Sequence, residues 1–242
     1  MMQCVDGGSS SGVGDRDIDQ LLASAQQYMN AGDLAMAKEV CHEIMKREPS
    51  HPEAYNRLGI IAFLEEHYAV ALEFIKTAIQ FNDQIADYHF NLFLCDFKLN
   101  DFVDAEAALR KTIDLAPEHL EANMQLGLLL SAQGQFDEAA PFYEKVLMIG
   151  PLENAEAHAR LGEAYLHLDR RDLALTEANT AHNLDGDNQM ALQVIFALLM
   201  IENKPEEALD YGERLIKLDP QNGEFRKNLD IAYKQIAAQE ML

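Results

Sequence analysis

Apolar residues recur along this chain at the three- and four-residue spacings of amphipathic helices, in short segments separated by polar turns. From Ile18 the stripe Leu21, Ala25 and Tyr28 predicts one helix, and Asn30-Ala31-Gly32-Asp33 interrupts it. Gly32 suits the left-handed backbone that ends many helices. Leu34, Ala37, Val40, Cys41 and Ile44 then mark a second helix, which Pro49 closes. Pro52 opens the next pair, since proline is tolerated in a first helical turn. That pair carries Tyr55, Leu58, Gly59 and Ala62, then Tyr68, Ala71, Leu72, Ile75 and Ala78.

The alternation keeps a fixed step. Ala37, Ala71, Ala105, Ala139, Ala174 and Ala208 are separated by 34, 34, 34, 35 and 34 residues, and Pro49, Pro117, Pro151 and Pro220 keep the same beat. Self-similarity at this period identifies a helical solenoid, in which each unit buries its apolar face against its neighbours. The expected organisation is a flexible tail over 1–16, rich in Gly and Ser, and six repeats within 17–222. Their bounds are about 18–51, 52–85, 86–119, 120–154, 155–188 and 189–222, with one extra residue entering near Leu152 to Asn154. A lone amphipathic helix over 223–242 would cap the array, with Phe225, Leu229, Ala232, Tyr233 and Ile236 on its inner face. Glycine inside a helix costs about 1 kcal/mol relative to alanine, so Gly59, Gly127 and Gly162 at matching places imply close helix crossings at the recurring alanines. Phe93 and Phe196 hold that place in two other units, where the pair must splay or the partner must yield.

These residues resemble the tetratricopeptide repeat family over about 18–239. Its pattern is met by Tyr55, Leu58, Gly59 and Ala71, by Leu126, Gly127, Ala139, Tyr143 and Pro151, and by Leu161, Gly162, Tyr165 and Ala174. The resemblance implies an all-α, right-handed superhelix (an α-solenoid) of antiparallel helix pairs, with first helices lining a concave groove. It also implies a protein-interaction scaffold rather than an enzyme.

Charge narrows the partners. With 41 acidic against 19 basic residues, a net charge of −22 excludes general binding to phosphate backbones, so no nucleic acid is expected. The same excess keeps the chain in solution and would steer a basic protein or peptide toward it. Cys4, Cys41 and Cys95 show no paired metal or disulfide spacing. No apolar run is long enough for a membrane span or a leader, so a cytoplasmic protein without membrane insertion is expected.

The groove that the resemblance implies falls on Arg57, Ile60 and Phe63 in one first helix, and on Phe90, Asn91 and Leu94 in the next. It continues through Met124, Gln125 and Leu128, then Arg160, Glu163 and His167, and ends on Gln193 with Ala197, Met200 and Ile201. The Lys and Asn of the family's carboxylate clamp are replaced by Leu22 and Gln26, and one Asn91 makes no asparagine ladder. Asp19, Glu53, Asp87, Glu121 and Glu156 recur at the second residue of five first helices. They form either an acidic rail for a basic segment or a set of carboxylates settled on helix dipoles. No nucleophile elbow, phosphate loop or HExxH spacing occurs, so neither catalytic residues, metal nor cofactor is expected. The reading is an adaptor that binds a peptide or helix of a partner protein. Its rivals are a self-assembling scaffold of the organelle-coat type and the recognition arm of a larger transferase.

Overall fold

A computed structural model describes residues 17–151 and 153–239. The expected tail, Cys4, Leu152 and everything after Gln239 lie outside the described residues. Among those described, all regular structure is helical: α1 (Ile18–Asn30), α2 (Leu34–Arg47), α3 (Pro52–Leu64), α4 (Tyr68–Phe81), α5 (Ala86–Lys98), α6 (Phe102–Leu115), α7 (Leu120–Ala132), α8 (Phe136–Ile149), α9 (Ala155–His167), α10 (Arg171–Leu184), α11 (Gln189–Ile201), α12 (Pro205–Leu218) and α13 (Gly223–Gln239). The chain forms two compact units, divided between Lys111 and Thr112.

The turn inside each helix pair follows one backbone rule. Gly32, Glu66, Asn100, Gly134, Asp169 and Asn203 all take positive φ, between 55° and 77°, and they keep the spacing of the alanines. The next residue then donates its N–H back across the turn. Asp33 reaches the Tyr28 carbonyl at 2.9 Å, His67 reaches Ala62 at 2.9 Å, and Lys204 reaches Leu199 at 2.9 Å. This bond satisfies a carbonyl that the helix end would otherwise leave open. Two of the six positions are glycine and three are Asn100, Asp169 and Asn203, whose short polar side chains tolerate left-handed backbone, so Glu66 is the position whose side chain disfavours it.

In the first unit, α3 and α4 close like a hairpin from the turn outward. Phe63 meets Tyr68 edge-on, Gly59 lies against Ile75, and Tyr55 meets Phe81 at the open end. These helices are therefore antiparallel. Ala37, Ala71 and Ala105 are wholly buried, as the close crossings require.

The second unit repeats the arrangement. Ala139, Ala174 and Ala208 are wholly buried, and Gly127, Gly162 and Phe196 occupy the crossing points of α7, α9 and α11. The glycines face the residue one turn beyond the alanine more closely than the alanine itself. A Cβ on Gly127 would stand 2.7 Å from the Tyr143 ring, and one on Gly162 would stand 3.2 Å from the Ala178 backbone nitrogen. At the last pair the bulk is exchanged between partners. Phe196 takes the glycine place, and Gly212 on α12 yields to it, its missing Cβ position being 2.9 Å from the Phe196 ring. Helix α13 packs on α12 through Phe225, Leu229 and Ala232. Tyr233 is exposed instead of inward, its hydroxyl donating to Glu213 at 3.1 Å, and Ile236 is half-buried.

Candidate functional site

Within the first unit the first helices α1, α3 and α5 are joined by side-chain hydrogen bonds. Arg57 on α3 donates to the Leu22 carbonyl at 3.0 Å, to Gln26 Oε1 at 3.1 Å and to Glu53 Oε1 at 2.9 Å. Its side chain is only 14% exposed. Glu53 also accepts from the Tyr88 hydroxyl at 3.0 Å, and Asn91 donates to the buried Asn56 at 2.9 Å. Burial, with the Glu53 carboxylate beside it, pushes the Tyr88 phenol well above its usual range. The predicted contact residues Arg57 and Asn91 are thus brought to one wall, where each already donates to neighbouring side chains or backbone. Glu53, named for the acidic rail, is tied into the same network. The asparagine pair joins Asn91 to Asn56, one residue before the position compared along the sequence.

Ile60, Phe63, Asn91 and Leu94 stand together beside Gly59 and Ile75 around a small hollow of about 40 Å³, with Phe90 close to Phe93 on the same helix. Asp19 and Asp87 lie exposed in the first turns of α1 and α5. Asp96, in the buried stripe of α5, is 3% exposed. Burial raises its carboxyl pKa to about 6, against partial relief from Lys76 and reinforced by Asp104 and Asp101.

The second unit presents a different wall. On α7, Met124, Gln125 and Leu128 are half-buried, and Glu121 accepts from Gln125 at 2.7 Å. On α9, Arg160 donates to Glu156 at 2.8 Å and lies 3.6 Å from Glu163. His167 stacks on Phe136 with ring centroids 3.9 Å apart. Beyond α9 the wall opens into an apolar cleft of about 470 Å³. Leu166, Met190, Val194, Ala197, Met200 and Ile201 line it from α9 and α11, and Phe225, Asn228 and Ile231 line it from α13, over a floor of Phe196, Gly212 and Leu215. Helix α11 contains no charged residue along its length. The sequence reading reached Glu163, His167, Gln193, Ala197, Met200 and Ile201, but it missed the α13 side. Gly223 opens α13 one 34-residue step after Gln189 opens α11, so the repeat spacing reaches this helix too, but the expected groove ended on Ile201 and α13 was expected only to cap the array.

Cys41 and Cys95 are buried, and burial raises their thiol pKa values to about 11 and about 12, which keeps them from reacting as thiolates. His89 Nε2 lies 3.0 Å from the Asp83 carbonyl, and His158 Nδ1 lies 2.6 Å from Glu177, so both rings are held by a hydrogen-bonding neighbour. Among the described residues no three His, Cys, Asp or Glu side chains group to hold a metal ion, and no helix is long and apolar enough to cross a membrane.

Successive antiparallel helix pairs with a side-chain wall on their first helices define a helical-repeat scaffold protein. The tetratricopeptide repeat family model matches residues 22–85 and 96–153, and a second tetratricopeptide repeat model matches 130–193. The chain belongs to the tetratricopeptide repeat family, whose members generally mediate protein–protein interaction. It is 23% identical over 209 residues to the DnaJ homolog subfamily C member 7 homolog of Schizosaccharomyces pombe, covering 85% of this chain but 39% of that protein's length. Among solved structures it is similar to PilF of Pseudomonas aeruginosa, with a TM-score of 0.69 at 18% identity, covering 87% of this chain and 95% of that one. It is also similar to YrrB, described as having an unusual peptide-binding site, with a TM-score of 0.62 at 22% identity, covering 73% and 91%. At these identities the likeness establishes the fold.

Proposed function

We propose that this chain is a non-enzymatic adaptor that holds a segment of a partner protein against the wall of its first helices. The observation that carries this reading is the open-sided apolar cleft of α9, α11 and α13, where Ile201 and Ile231 remain 48% and 49% exposed on facing helices. Apolar surface gathered in a concave trough and rimmed by polar groups is the usual mark of an interaction site. The half-buried Met124, Leu128 and Gln125 on α7 would extend such a surface along the same unit.

The acidic rail takes a smaller part in this reading. Glu53, Glu121 and Glu156 each accept a hydrogen bond from a neighbouring side chain, so they serve the wall before they serve a partner. The test is peptide display against the whole chain, followed by hydrogen exchange of the complex. Slowed exchange on first helices supports the adaptor, whereas protection confined to the second helices would overturn it. A monomer by light scattering at every concentration would separate the adaptor from the self-assembling scaffold.

A further inference from the structure

We infer that the second unit takes one chemical type of segment: bulky apolar side chains seated in the α9–α11–α13 cleft, flanked by Lys or Arg. This rests on the adaptor reading and specifies its ligand. The apolar half of the argument is the lining. Met190, Val194, Ala197 and Met200 follow helical spacing along α11, and Phe225 and Ile231 face them from α13. A volume of about 470 Å³ lies in the range of sites that enclose a small molecule, roughly 300–1,000 Å³. This cleft, however, is open-sided and runs on into a polar vestibule with which it shares Met190, Gln193, Glu224 and Phe225. An occupant long enough to use both is a peptide segment.

The basic half comes from charge. Glu156, Glu163, Asp185, Asp187 and Glu224 line the cleft and vestibule, with Arg160 the Lys or Arg among them and His167 stacked on Phe136. Arg160 is already bound to Glu156 and close to Glu163. Arg214 and Lys227 answer Asp187 and Glu224 from outside, and the N-terminal dipoles of α11 and α13 offset part of the remainder. No Lys or Arg of the lining is left over to meet an acidic segment, while residues 112–242 hold 23 acidic against 10 Lys and Arg side chains, a net of −13. That field speeds the approach of a cationic segment and repels an anionic one, and the apolar anchors hold it once docked. Helix α13 is on this account a wall of the site as well as the cover of α12.

The experiment is fluorescence anisotropy of the full chain with a labelled synthetic peptide that carries leucines at helical spacing between lysine pairs. It should bind saturably. Replacing its leucines by serine, or its lysines by glutamate, should weaken it about tenfold or more. Ile231→Asp and Met200→Asp change side chains on the open rim, and circular dichroism would show that the fold is kept. Each should weaken the leucine–lysine peptide about tenfold, whereas Leu173→Asp on α10 should leave it unchanged. Equal binding of the serine or glutamate peptide, or wild-type affinity in both rim variants, would overturn the inference. So would concentration-dependent dimerisation abolished by Ile231→Asp, since a second copy would then be the occupant. Selected peptides that protect α1, α3 and α5 but not α9, α11 and α13 would sink this inference and leave the adaptor standing. Protection of second helices alone would end both.

Discussion

The walls of the two units start from the same helical step and reach opposite states. In the first unit the polar side chains of α1, α3 and α5 satisfy one another: Arg57 spans three acceptors, Tyr88 reaches Glu53, and Asn91 reaches Asn56. In the second unit the corresponding helices α9, α11 and α13 leave apolar side chains facing a cleft. A hydrogen-bonded wall gains rigidity and specificity of packing but has committed part of its donors to itself. An apolar wall that is not closed keeps binding free energy in reserve. The difference teaches that inward position along a repeat does not by itself make a contact residue.

The largest expected effect tests the floor of the cleft. Phe196→Ala should cost about 3–5 kcal/mol in chemical denaturation, because it removes a buried ring that lies over Gly212 in one cluster with Leu192, Leu215 and Phe225. Adding Gly212→Leu should recover part of the loss, since the new side chain enters the space vacated by the ring. Failure of the double variant to improve on the single one would show that the two positions do not share one volume.

Next comes the polar wall. Asn56→Ala leaves the Asn91 amide without its partner in a buried place and should cost about 1–3 kcal/mol. Gln193→Ala, at the edge of the second unit's cleft, should change stability by less than about 0.5 kcal/mol. Equal losses would erase the contrast between the walls.

Asp96 sharpens the comparison from within the first unit, because it places a carboxylate in a stripe that holds Ala62 one repeat earlier and Leu130 one repeat later. Its folded pKa of about 6 lies above the ordinary value of 3.8, so between these values the folded chain binds more protons than the unfolded chain. Its contribution to stability therefore falls as pH rises from about 4 to about 6. Asp96→Ala should remove that slope and stabilise the unit at neutral pH by about 1–2 kcal/mol, read from denaturation across a pH series. A slope unchanged by the substitution would acquit Asp96. The smallest effect concerns the turns. Glu66→Gly should stabilise by up to about 1 kcal/mol by relieving left-handed backbone, whereas the same change in a helix interior would destabilise.

The helices were legible because their alanines, prolines and apolar stripes repeat, and each alanine of the ruler is buried. The rule of the turns was legible at Gly32 and Gly134 and, more weakly, at Asn100, Asp169 and Asn203, whose side chains tolerate left-handed backbone. Glu66 adopts the same backbone because the turn's hydrogen bonds and the flanking helices impose it, and that force leaves no trace in its residue type. The candidate site was half legible. Met200 and Ile201 follow from the spacing of α11, but the opposing Phe225 and Ile231 depend on how α13 comes to rest on α12. The locking of Arg57 by Leu22 and Gln26 depends on a neighbouring helix 31 to 35 residues away.

The exchange of bulk between Phe196 and Gly212 bears on how such arrays can be recombined. Gly59, Gly127 and Gly162 keep the small residue on the first helix of their pairs, so grafting α11 alone opposite the second helix of one of these pairs would drive its ring into Ile75, Tyr143 or Ala178. Transferring α11 together with α12 carries lock and key as one cassette. The hairpin, not the helix, is the smallest interchangeable part of this chain.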